Sequence, residues 1–274
     1  MSTISACVVV FNEEKIIDRC LSGISGLVDE IIVVHDGPCS DKTLEIARKY
    51  TDQIFERDHV GISDGHLVFS FNLAKSEWIL RLDADEYFDQ QDIPAIKKLT
   101  DNQNVSGMYL KWEMWNGKKP IYFKGLKKLC LFRKSQGGYQ RIPHGNVAIK
   151  DGKLIDADIF LRHRPLYNNI SWHSFAKKRK KWVPIHVKFF FPELVAPYEC
   201  FNTSIDSWLD FSAKVRRHPF LYFLWMPLKM SLCQIKNGLY TSIWGWSVAL
   251  QQYVYYLTLY YGVWRMTRSI KNKV

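Results

Sequence analysis

A chain of 274 residues, 47% hydrophobic and 24% charged, is long enough for a substantial core and has the balance of a folded protein. Those proportions exclude a disordered or collagen-like polymer. Charge is unevenly placed: residues 1–100 carry 10 Lys+Arg against 18 Asp+Glu, residues 101–274 carry 28 against 9, and the formal total is +11. An acidic N-terminal part and a basic, aromatic C-terminal part therefore suit different partners. The six cysteines stand singly, without the paired spacing of a zinc site or the density of a disulfide scaffold. Cys7 and Cys20 fall in apolar periodic segments and read as reduced core residues.

Residues 4–11, ISACVVVF, form a β-branched run typical of a strand buried on both faces, and Asn12-Glu13-Glu14 ends it. The apolar run is too short for a signal peptide, so the expected start of the chain is cytoplasmic. From Lys15, apolar residues at Ile16, Ile17, Cys20, Leu21, Ile24 and Leu27 recur every three or four positions and predict a helix with one buried face. Residues 30–36 read as a second buried strand, followed by the turn GPCSDKT and a helix carrying Leu44, Ile46, Ala47 and Tyr50. Ile54-Phe55 suggests a third strand, residues 66–75 a helix, and residues 78–82 a fourth strand running into Asp83-Ala84-Asp85-Glu86. Alternating strands and helices predict an α/β domain with a mostly parallel sheet.

Open sheets of this kind bind ligands outside the carboxyl ends of their strands. Three polar clusters are expected there: Asn12-Glu13, His35-Asp36 and Asp83-Ala84-Asp85. One carboxylate after a strand is commonly a turn former or helix cap; three clusters at one edge predict a site. Asp83 and Asp85 can converge on one hard cation such as Mg²⁺ or Mn²⁺ while Ala84 points away, leaving room for phosphate oxygens. The alternative reading of the pair is a solvated acidic turn before a helix starting near Gln90.

Three segments, VVVFNEEKIIDRCLSGI, DEIIVVHDGPCSDKTLEIARKY and NLAKSEWILRLDADEYF, resemble in order and spacing the signatures of family 2 inverting glycosyltransferases of the GT-A (Rossmann-like) fold. The resemblance covers about the first 100 residues. It implies that the Phe11-Asn12-Glu13 turn borders the nucleotide of a UDP-linked sugar and that Asp36 binds the base. It also implies that Asp83, Ala84 and Asp85 form the DxD motif holding divalent metal and diphosphate, with Asp41 shaping its loop. His163 aligns with a histidine that completes the metal shell in some of these enzymes. Within the family the chain is similar to bacterial lipopolysaccharide core glucosyltransferases, which implies a lipopolysaccharide or lipid-linked glycan acceptor.

Two departures from that group are visible. Phe71 stands where a basic residue often precedes the asparagine matching Asn72, and Gly145 stands where a glutamate usually follows the histidine matching His144. Direct displacement needs a base to take the acceptor proton. Glu113, Asp158, Glu86 and His144 are all candidates, and spacing does not choose among them. The metal at Asp85 is expected to offset the charge of the departing nucleotide.

Five consecutive cations, Lys177 to Lys181, precede two aromatic stretches, residues 219–235 and 238–264, the second without a charged side chain. Tyr and Trp favour the headgroup level of a bilayer. The expectation is a catalytic domain over residues 1–170 and a basic helical region over 171–274 lying on an anionic membrane, at the cytoplasmic face of the plasma membrane. A buried helical subdomain or homodimer interface is the alternative. Nucleic acid is not an expected partner, because no recognised binding signature is present and the acidic strand ends would repel a polyanion. Two other functions stay open: a sugar nucleotidyltransferase, and a membrane adaptor that kept the fold.

Overall fold

Strand β1 (Ile4–Val10) is buried along its whole length, and its alternating side chains supply two cores. Ala6, Val8 and Val10 pack with one hydrophobic cluster, while Cys7 and Val9 pack with another. β1 lies between β2 (Glu30–Asp36) and β4 (Trp78–Asp83), parallel to both, and β3 (Ile54–Arg57) extends β2 in parallel. Helices α1 (Ile17–Ile24) and α2 (Thr43–Ala47) cover one face through Ile17, Leu21, Ile24 and Leu44. On the other face α3 (Asp64–Leu73) contributes Leu67 and Phe71. This half matches the strand-helix alternation expected from sequence. The computed structural model describes residues 2–142, 145–195, 198–236 and 239–272.

Past the acidic turn come a two-residue strand, β5 (Glu86–Tyr87), helix α4 (Ile93–Thr100), and the long strands β6 (Val105–Trp115) and β7 (Pro120–Arg133). β8 (Gly137–Gln140), β9 (Ala148–Ile149) and β10 (Lys153–His163) follow. The main sheet has the order β3-β2-β1-β4-β7-β6-β10-β5, with β4–β7 and β10–β5 antiparallel and β10–β6 parallel. The result is the expected α/β, GT-A-like architecture. Helices α5 (Trp172–Lys188), α6 (Asp206–Arg217), α7 (Pro219–Lys236) and α8 (Ile243–Lys271) complete the chain, with β11 (Cys200–Phe201) between α5 and α6 pairing antiparallel to β8.

Two units emerge, and no single cut near residue 170 separates them. The first comprises residues 1–113, 127–166 and 199–203, the second 114–126, 167–198 and 204–274. The tip of the β6–β7 hairpin belongs to the second unit because Phe123 packs there with Ile170, Val248 and Ala249. Residues 199–203 belong to the first because β11 joins β8 and Phe201 meets Phe71 edge-on.

In the second unit α5 begins at Ser171, whose hydroxyl accepts the Ser174 N–H at 3.1 Å, and α8 begins at Ser242, which accepts the Gly245 N–H. Gly262 lets α8 approach α5 closely, since a Cβ there would sit 2.7 Å from Val187 Cγ2. Among the described residues no helix is long and apolar enough to cross a membrane.

Candidate active site

The site is assembled by strand register. Val9 of β1 pairs with Asp83 of β4, and Val10 pairs with His35 of β2, so the three predicted polar clusters leave the sheet at one edge. The first turn is built by its own backbone. Asn12 adopts φ +53°, a left-handed conformation that asparagine tolerates, and its N–H donates to His35 Nε2 at 3.1 Å. His35 is fully buried, and its Nδ1 lies 2.6 Å from the Gly37 carbonyl. A carbonyl only accepts, so Nδ1 carries the proton and Nε2 is free to accept from Asn12.

The 38–43 loop closes over this turn. Asn12 Oδ1 accepts the Ser40 N–H, and Thr43 Oγ1 accepts the Glu13 N–H at 2.6 Å. Asp41 accepts from the Glu14 and Thr43 N–H groups. Asp41 thus acts on the loop, in keeping with the shaping role its motif implied.

Asp36 is held from every side. Its carboxylate accepts the Val60 N–H at 2.6 Å, the Gly61 N–H at 2.8 Å and His66 Nε2–H at 2.9 Å. Burial opposes its ionisation, but these three donors prevail and hold its carboxyl below the usual range. Asp36 is 4% exposed and pins the 59–61 segment beside the β1 turn. Phe11 is exposed and its ring lies 4.8 Å from that of His59.

At the end of β4 an unforeseen cation dominates. Lys128, from β7, places Nζ 2.9 Å from Asp83 Oδ2 and 2.6 Å from Glu86 Oε2. Glu86 is fully buried, and it also accepts the Trp112 Nε1–H at 2.7 Å and the Asp83 N–H at 3.0 Å. Burial raises the cost of ionising Asp83, yet Lys128 and Arg81 hold its carboxyl well below the ordinary range. For Lys128 burial favours the neutral amine, but Asp83 and Glu86 outweigh it and keep the ammonium charged. Ala84, between the two aspartates, is buried in the core.

Asp85 leaves this pair and meets another partner. Its Oδ2 lies 3.3 Å from His163 Nε2, while His163 Nδ1 faces the Glu113 carbonyl at 3.2 Å. The carbonyl again requires the proton on Nδ1. In the neutral ring, a lone pair on Nε2 therefore faces a carboxylate, an arrangement that a proton or a cation between them would relieve. The Trp112 ring lies against the imidazole at a 31° tilt, with centroids 4.4 Å apart.

The sequence model of glycosyl transferase family 2 matches residues 5–162, more than half of the chain and all three strand-end clusters. The chain belongs to glycosyl transferase family 2. An uncharacterized glycosyltransferase of Rickettsia prowazekii is 27% identical over 181 residues, covering 63% of this chain and 60% of that protein. One from Rickettsia bellii is 31% identical over 111 residues, 40% of this chain and 37% of that one. The chain thus spans less than two thirds of the curated relatives it matches. Among solved structures it is similar to glucosyl-3-phosphoglycerate synthase from Mycobacterium tuberculosis in complex with Mn²⁺ and uridine-diphosphate-glucose, at 22% identity, 40% of this chain, 44% of that chain and a TM-score of 0.34. S. aureus TarS 1–349 in complex with UDP is 18% identical, with 49% and 47% covered and a TM-score of 0.38.

Not every predicted residue of this family 2 chain occupies the place expected for it. Asp83, Asp85 and His163 do not close on one point as a metal-binding trio: among the described residues no group of three or more His, Cys, Asp or Glu side chains could hold an ion alone. Lys128 draws Asp83 to itself, and Asp85 and His163 remain as a pair. Glu113, a base candidate, is 2% exposed, and its carboxylate is taken by Arg164 and by Arg162 Nη1 at 3.5 Å. Glu86 is equally enclosed, whereas Asp158 is open to solvent and paired with Lys111. His144 lies outside the described residues. Phe71 is fully buried against Phe132, Tyr139 and Phe201, so that helix position serves the core.

Sequence reasoning missed Lys128, His66 and the two arginines. A signal for Lys128 existed: alternation in β7 must turn Lys127 and Lys128 to opposite faces, and Lys127 pairs outward with Asp156.

Proposed function

We propose that the first unit transfers a sugar from a nucleotide-sugar donor, UDP-linked, to an acceptor hydroxyl with inversion at the anomeric carbon. The observation that carries this reading is the strand register that brings the Asn12-Glu13, His35-Asp36 and Asp83-Asp85 clusters to one sheet edge, where Asp85 faces His163. Family membership supplies the reaction class. In this reading the Asn12 turn and the 38–43 loop border the nucleotide, and Phe11 offers an exposed ring to the base. Asp36 acts indirectly, by fixing the backbone at Val60 and Gly61.

Asp85 and His163 fit a divalent cation: a carboxylate and an imidazole lone pair face each other, and the opposite ring nitrogen is anchored on a carbonyl. Hard cations need only one or two protein carboxylates when phosphate oxygens complete the shell. Bound there, Mg²⁺ or Mn²⁺ would offset the charge that develops on the diphosphate. Lys128 keeps Asp83 ionised and oriented. With Glu86 and Glu113 buried as well as ion-paired, solvent-exposed Asp158 and the candidate His144 remain for the acceptor's base.

For the second unit we infer a seat on the surface of an anionic membrane, at its cytoplasmic face, where a lipid-linked or lipopolysaccharide glycan would be presented. On α7 Phe220, Leu221, Leu224, Trp225, Leu228 and Leu232 are all exposed, at spacings that set them along one side of the helix. No Asp or Glu follows Asp210 in the sequence, while Arg216, Arg217, Lys229 and Lys236 lie on or beside this helix.

The test is a donor screen that follows nucleotide release with Mn²⁺ and envelope lipid extract. Release of UDP from a UDP-sugar supports transfer. Release of pyrophosphate instead would make the chain a nucleotidyltransferase, and silence with every donor would leave an adaptor.

A further inference from the structure

The five-cation run at 177–181 does not form one solvated face. Ser174, Lys177, Lys178, Lys181 and Trp182 recur every three or four residues along α5, and with Tyr167 and His173 they line a cleft of about 550 Å³. Arg179 is turned away, over the ring of Phe175 at 6.0 Å. We propose that this cleft binds a saccharide bearing phosphate or carboxylate groups, its rings against Tyr167 and Trp182 and its anions on Lys177, Lys178 and Lys181.

Three features point to that ligand. Among the described residues that line the cleft none is a carboxylate and three are lysines, in a concave, partly apolar space. Lys178 Nζ lies 5.0 Å from the Tyr167 ring centroid and 5.5 Å from that of Trp182, which fixes one charge between two aromatic walls before any ligand arrives. The volume falls in the range of small-molecule sites, roughly 300–1,000 Å³. A nucleic-acid strand would instead call for a groove following successive nucleotides.

Naming this saccharide as the acceptor rests on the glycosyl-transfer reading; its binding does not. The experiment is calorimetric titration of the full chain with glucose 6-phosphate, digalacturonate, glucose and inorganic phosphate, in parallel with phosphatidylglycerol vesicles and oligothymidylate. The two anionic saccharides are expected to bind at least about ten-fold more tightly than glucose, and Lys177→Ser with Lys181→Ser to erase that margin. Trp182→Ala should weaken the saccharides while leaving inorganic phosphate unchanged. Saccharide affinities identical in all variants would overturn the site, as would binding confined to vesicles or oligothymidylate. UDP release is read on the same samples: saccharide binding without any release supports the cleft and removes the transfer reading, whereas release without saccharide binding does the reverse.

Discussion

His163 Nε2 lies 3.3 Å from Asp85 Oδ2 while the opposite ring nitrogen sits 3.2 Å from the Glu113 carbonyl. The imidazole is therefore oriented from behind and presents its lone pair to the acidic edge. Replacing it with alanine should weaken Mn²⁺ binding by about ten-fold or more, given what ligand orientation contributes at metal sites. Titration of Mn²⁺ by electron paramagnetic resonance measures this, and equal affinity in His163→Ala would remove the histidine from the site.

Lys128 neutralises a fully buried carboxylate. In Lys128→Met, Glu86 keeps its burial and loses its cation, a loss expected to cost about 3–5 kcal/mol. Adding Glu86→Gln should recover much of that. Urea denaturation of the two single variants and the double variant gives the coupling directly; additive effects would mean that the ion pair is incidental.

The Asp36 carboxylate contributes stability with a definite pH signature. Burial opposes its charge, but His66 and the Val60 and Gly61 amides hold its folded-state affinity for protons below the unfolded value. Its contribution is therefore complete above the unfolded value and disappears as pH falls through the folded one. Asp36→Asn should cost about 2–3 kcal/mol near neutrality and flatten the acid limb of the stability curve. Thermal melts from pH 7 down to pH 3 would reveal an unchanged acid limb if the carboxylate were not held this way.

Glu13 behaves oppositely. Burial, followed by the charges of Asp85, Asp41 and Asp83, raises its carboxyl to about 7. Between the ordinary carboxylate range and that value the folded state binds the extra proton, so stability should fall as pH rises toward neutrality. Glu13→Gln should remove this slope. A slope that survives the substitution would assign it to another group.

Helix α7 makes the membrane reading testable without truncation. Leu221→Glu with Trp225→Glu places two charges on the exposed stripe, where neither side chain supports the core. Co-sedimentation with phosphatidylglycerol vesicles should drop severalfold at unchanged melting temperature. If dimer dissociation appeared instead, the stripe would belong to a second copy of the chain.

Strands β1, β2 and β4 and the DADE turn are legible in the sequence because buried parallel strands leave apolar runs and polar residues gather where they stop. β5 is not, since two residues are too few for any period. Partners distant in sequence were also hidden: Lys128 reaches Asp83 across 45 positions and His66 reaches Asp36 across 30. Only tertiary packing brings them together. Glu113 looked like a free carboxylate for the same reason, because the arginines that hold it lie 49 and 51 residues later.

In the proposed function a divalent cation seated at Asp85 joins the donor's diphosphate to the protein. Calorimetry of UDP binding with Mn²⁺, and again with excess chelator, tests it most directly in the native chain and in Asp85→Ala. Binding is expected to be at least about ten-fold tighter with Mn²⁺ in the native chain, with no metal effect in the variant. UDP affinity indifferent to the metal in both proteins, with folding intact, would contradict it.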